Sequence, residues 1–113
     1  MRKTRYDQLI RDGFCICPDL LHADLISRLR KTTQRLCDAM TEEHKARFRV
    51  QGSMFHTSLD PLFAELIAWP PALEELKAMG FKDPSFTDGY IISKPPRSPG
   101  LFWHYDWFVW EDP

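Results

Sequence analysis

The chain has 113 residues, enough for one small domain with one modest core. It is 43% apolar and 27% charged, which excludes a disordered or fibrous chain. A net charge of −1 gives no global field that would recruit nucleic acid or an anionic membrane.

The charge is unevenly spread. Residues 1–49 hold 11 Lys and Arg against 7 Asp and Glu, and residues 50–113 hold 4 against 9. The basic half reads as solvated helix faces, not as a nucleic-acid surface. Cys15, Cys17 and Cys37 form an odd, sparse set, which argues for a reduced compartment and against a disulfide framework. No apolar run approaches membrane-spanning length, and the first residues, Met1-Arg-Lys-Thr-Arg, lack the apolar core of a signal peptide. The expected location is the cytoplasm, with no membrane and no nucleic-acid partner.

In chain order, Thr4–Asp12 is expected to be a short helix with Tyr6, Leu9 and Ile10 on one face and Gly13 as its stop. Phe14–Cys17 reads as a brief buried strand ended by Pro18, with both cysteines packed as small hydrophobes. The strongest helix spans Ala23–Met40, where Leu25, Ile26, Leu29, Leu36, Cys37 and Met40 make a helical stripe. Thr41–Phe48 is charged and reads either as a helix extension or as a linker. Val50–Ser58 reads as loop, with His56 as a surface histidine in preference to a ligand.

Asp60-Pro61 is a helix start, the carboxylate as N-cap and proline at the first helical position, and the helix is expected over Pro61–Ala68. Pro71–Met79 should form another, stopped by Gly80. From Phe81 onward the character changes. Phe86–Lys94 contains the β-type run Tyr90-Ile91-Ile92. Pro95–Gly100 is a proline-rich turn, and Leu101–Val109 is an expected aromatic strand. The fold class expected is α+β in one domain over 1–113, helical over 1–80 and entering its β-core over 81–113.

That last strand carries His104-Tyr105-Asp106. Strand side chains alternate faces, so His104 and Asp106 would project together and could grip one metal ion. One further histidine would complete the facial set that suits non-haem Fe(II). A second copy of the pattern, His22-Ala23-Asp24, sits at a helix start. There the two side chains lie roughly 200° apart around the axis and cannot share a metal. Phe102 and Phe108 would share the ligand face, and Trp103, Tyr105 and Trp107 would pack in a core on the other side.

Gly13-Phe14, Asp19-Leu20-Leu21 before a long helix, Ser93-Lys94-Pro95-Pro96 and Trp103-His104-Tyr105-Asp106 together resemble the phytanoyl-CoA dioxygenase family. Its members are Fe(II)- and 2-oxoglutarate-dependent oxygenases. The resemblance runs from about Asp12 onward, and the Lys-Pro-Pro turn just before Trp-His-x-Asp is its specific part. It implies a double-stranded β-helix, or jelly-roll, with helices packed outside. It implies Fe(II) held by His104, Asp106 and a later histidine, with no catalytic residue beyond the metal ligands. Lys94 matches a position that can reach 2-oxoglutarate. O₂ and 2-oxoglutarate are then consumed to succinate and CO₂ while a small-molecule substrate is usually hydroxylated.

No histidine follows His104 and no arginine follows Arg97, so the late iron ligand and the main 2-oxoglutarate anchor are absent from these residues. The expectation is therefore the N-terminal portion of such an oxygenase, with an incomplete jelly-roll, inactive alone without the C-terminal half of the domain. Two other readings stand beside it: a non-catalytic fragment or interaction module whose aromatic strand pairs with a partner's sheet, and a structural metal-binding domain, with zinc as one option.

Overall fold

A computed structural model describes residues 4–47, 53–94, 96–97, 100 and 102–103. Among the described residues, five α-helices and the two strands of one antiparallel sheet, the first strand between the third and fourth helices and the second after the fifth, give an α+β arrangement.

Helix α1 (Arg5–Asp12) opens on a capping box. The Asp7 N–H donates to Thr4 Oγ1 at 3.1 Å, and the Thr4 N–H donates back to the Asp7 carboxylate at 2.8 Å. Gly13, at φ 78°, ends the helix in the left-handed region. The next stretch corrects an expectation. Residues 14–17 form no strand: Phe14 and Ile16 are exposed, while Cys15 and Cys17 are half-buried. Among the described residues no strand lies alongside, so their backbone has no ladder to join.

Helix α2 (Ala23–Asp38) is the longest element and buries Leu25. Helix α3 (Glu42–Arg47) follows, so the charged segment is a separate short helix. Strand β1 (Ser53–His56) then stands where a loop was expected, inside the stretch read as helical. A single 3₁₀ turn (Thr57–Leu59) leads to α4 (Pro61–Ile67), where the Asp60 carboxylate accepts from the Leu62 N–H at 2.9 Å, as the Asp-Pro pair implied. Helix α5 (Pro70–Ala78) begins one residue earlier than expected, with Pro70 at its first position. It ends in a Schellman motif: the Gly80 N–H reaches the Lys77 carbonyl at 2.9 Å and the Phe81 N–H the Leu76 carbonyl at 3.1 Å.

Strand β2 (Tyr90–Ser93) is shorter than the Phe86–Lys94 run and pairs antiparallel with β1. Its partners are Ser53↔Ser93, Met54↔Ile92, Phe55↔Ile91 and His56↔Tyr90. Phe102 and Trp103 fall outside any strand and are exposed, so Trp103 does not pack in a core as expected.

The core is small. Leu25 on α2, Phe55 on β1 and Phe63 on α4 are its fully buried members among the described residues. Arg28 grips the Glu65 carboxylate with both terminal nitrogens, and Arg35 pairs with Asp60. Partners ascend along α2 as they descend along α4, so the two helices run in opposite directions. These half-exposed pairs fix register more than they add stability. Trp69 sends its indole N–H to the Leu20 carbonyl at 2.8 Å and meets the His22 ring edge-on at 5.4 Å between centroids.

Candidate functional site

The register of the sheet decides which side chains share a face. Directly paired residues point the same way and successive ones alternate. Phe55 and Ile91 therefore face one side, where Phe55 is buried beside Leu36, Met40 and Leu59. Met54, His56, Tyr90 and Ile92 face the other. Tyr90 and Ile92 remain about half exposed, at 51% and 46%, so this second face is open.

Lys94 follows β2 directly and continues the alternation onto the open side. Its side chain is exposed, with no hydrogen-bond or ion-pair partner among the described residues. In the turn after it, Arg97 stands at φ 67°, in the left-handed region. His104 and Asp106, the expected iron ligands, lie outside the described residues, as do Tyr105, Trp107 and Phe108.

An open groove of about 540 Å³ adjoins the same face and is lined by His44, Arg47, Met54, His56, Asp88 and Tyr90 among others. Its polar centre is a chain of three side chains. His56 Nε2 lies 2.7 Å from Asp88 Oδ1, and His56 Nδ1 lies 2.7 Å from Ser58 Oγ. The Ser58 N–H also donates to Nδ1, at 3.1 Å. A backbone donor at Nδ1 makes that nitrogen an acceptor, so the neutral ring carries its proton on Nε2 and donates it to Asp88. The Gly89 N–H, at 2.7 Å, and then His56 hold the Asp88 carboxyl below its ordinary value. His44 sits nearby with Nε2 2.6 Å from the Met54 carbonyl.

Sequence reasoning assigned His56 to the surface, and it is exposed. It missed the partners that orient it. Asp88-Gly89 reads as a turn, and nothing local says that its carboxylate meets a histidine 32 residues earlier. Upstream, Cys15 and Cys17 stand beside Arg5 and Glu75, and burial is the main cause that raises the Cys17 thiol. Among the described residues no three His, Cys, Asp or Glu side chains converge to hold a metal ion. No described helix is long and apolar enough to cross a membrane. Comparison with protein-family models, with curated proteins and with solved structures found no match.

Proposed function

We propose that these residues are the N-terminal part of an Fe(II)- and 2-oxoglutarate-dependent dioxygenase that hydroxylates a small molecule, with a jelly-roll core that begins at β1 and β2. The observation that carries the reading is the position of Lys94. It directly follows a strand, on the open side of the sheet beyond Tyr90 and Ile92, and stands ten residues before His104 in the Lys-Pro-Pro…Trp-His-x-Asp pattern.

The donor set fits the group. His104 offers a neutral imidazole and Asp106 a negative oxygen, two of the three ligands of a facial Fe(II) site. Lys94 offers an exposed ammonium, suited to one carboxylate of a dicarboxylate cosubstrate. When bound, iron and 2-oxoglutarate supply the activation of O₂. The protein's share is to hold that cosubstrate, and Tyr90, Ile92 and Met54 beside Lys94 supply apolar surface that keeps water from it. A further histidine and an arginine are needed from outside these 113 residues.

The test is anaerobic binding of Fe(II) and 2-oxoglutarate to the protein expressed with the coding sequence continuing past codon 113. Fe(II) binding should be lost in His104→Ala and in Asp106→Ala, and 2-oxoglutarate affinity should fall in Lys94→Ala. A protein that binds neither iron nor 2-oxoglutarate refutes the reading.

The exposure of Tyr90, Ile92, Phe102 and Trp103 favours a second reading, an interaction module whose open apolar face docks on a partner. It gains if the iron experiment fails while the 113-residue chain is stable and well folded.

A further inference from the structure

The three sulfurs at the α1–α5 end of the molecule form a group that the dioxygenase reading does not use. Exposure alternates along the residues after Gly13: Phe14 at 55% and Ile16 at 67%, with Cys15 and Cys17 half-buried between. That alternation turns both cysteines to the same, inner side. The Cys15 thiol donates to the Met79 thioether with 3.6 Å between the sulfurs, a contact across 64 residues of sequence. The two thiols also interact with each other, and Arg5 stands beside both.

The framework around them is fixed at three points. Met79 is the last residue before the left-handed Gly80, held there by the Schellman hydrogen bonds that close α5. Gly13 closes α1 with its N–H on the Leu9 carbonyl at 2.9 Å, which launches the cysteine segment. The Arg5–Glu75 ion pair and the edge-on contact of Tyr6 with Phe81, 6.5 Å between centroids, bind α1 to α5.

We propose that Cys15, Cys17 and Met79 are a three-sulfur binding site for Cu(I). Thiolate and thioether are soft donors and select this ion over harder ones. A metal bonded at about 2.3 Å to two sulfurs 3.6 Å apart subtends an angle of about 100° between them, narrower than a trigonal three-sulfur site, so the two sulfurs part slightly on binding. Zinc prefers four such ligands, and among the described residues no three His, Cys, Asp or Glu side chains converge to hold a metal, Glu75 being taken up by Arg5. Two thiolates and one Cu(I) carry a net charge of −1, and the group beside them is the Arg5–Glu75 ion pair, which is itself neutral.

The test is an anaerobic titration of the reduced full chain against the Cu(I)–bicinchoninate complex. The expected result is one Cu(I) withdrawn per chain, with Cys15→Ser and Cys17→Ser each abolishing withdrawal and Cys37→Ser leaving it unchanged. Met79→Leu keeps the volume and, by far-UV circular dichroism, the fold. It should weaken binding by at least the roughly 10-fold that loss of an outer-shell partner costs a metal site. X-ray absorption of the loaded protein should show three sulfur neighbours. Withdrawal by a Cys15→Ser/Cys17→Ser double variant equal to that of the parent overturns the proposal, as does a Met79→Leu variant that binds as tightly as the parent. None of these readouts depends on His104, Asp106 or turnover.

Discussion

The Trp69 indole N–H donates to the Leu20 carbonyl at 2.8 Å, across 49 residues. This bond ties the short link between α4 and α5 to the turn that precedes α2. It fixes the approach of α5, on which Met79 lies. Trp69→Phe removes the donor and keeps the aromatic face against His22. Leu20 is only half-buried, so water can replace the lost donor. The expected cost is about 1 kcal/mol, read as a lower urea midpoint at unchanged slope.

A core this small makes its members unequal to the rest of the apolar surface. Leu25 and Phe63 are each 2% exposed where α2 meets α4. Leu25→Ala should cost about 2–5 kcal/mol. Against a total of roughly 5–15 kcal/mol for an ordinary domain, that change should remove about a third of the stability and lower the urea midpoint accordingly. Ile10→Ala, at a site 69% exposed, should stay within about 0.5 kcal/mol on the same denaturation curve.

Gly80 stands at φ 94°, and a Cβ added there would meet nothing within 4 Å. The penalty of Gly80→Ala is therefore backbone strain alone, about 1–2 kcal/mol. Gly80→Asn should cost less, because asparagine tolerates the left-handed region. Thermal melts of the pair would separate conformational strain from a clash, which would penalise asparagine more than alanine.

The Gly89 amide and then His56 lower the Asp88 carboxyl, so the fold favours its ionised form. That contribution is fully present above the ordinary carboxylate value of about 3.8–3.9 and is lost as pH falls through the lowered folded value. Asp88→Asn should reduce the urea midpoint at neutral pH and flatten its fall below about pH 4. Parallel curves for parent and variant over this range would show that the carboxylate is not linked to folding.

Much of the helical framework was legible because its signals act within one turn. Thr4 and Asp7 bond each other, Asp60 caps the residue two ahead, and Gly13 and Gly80 supply the positive φ that ends α1 and α5. The strand at 53–56 was not legible. Four residues with one buried phenylalanine make no periodic signal, and they are a strand because Tyr90–Ser93 lies alongside. Phe14–Cys17 shows the converse: apolar composition invites a strand, but among the described residues no strand pairs with the segment.

The sequence by itself determined where the chain turns, caps and stops, the Lys-Pro-Pro and His-x-Asp motifs, and the α+β class. Those depend on dihedral preferences and on donors and acceptors a few residues apart. Only the tertiary structure decided that His56 meets Asp88, that Lys94 continues the open face of a sheet, and that Cys15 touches Met79. Each of these joins groups far apart in the chain. Their encounter is set by how β1 pairs with β2 and how α1 meets α5, and no local preference encodes that.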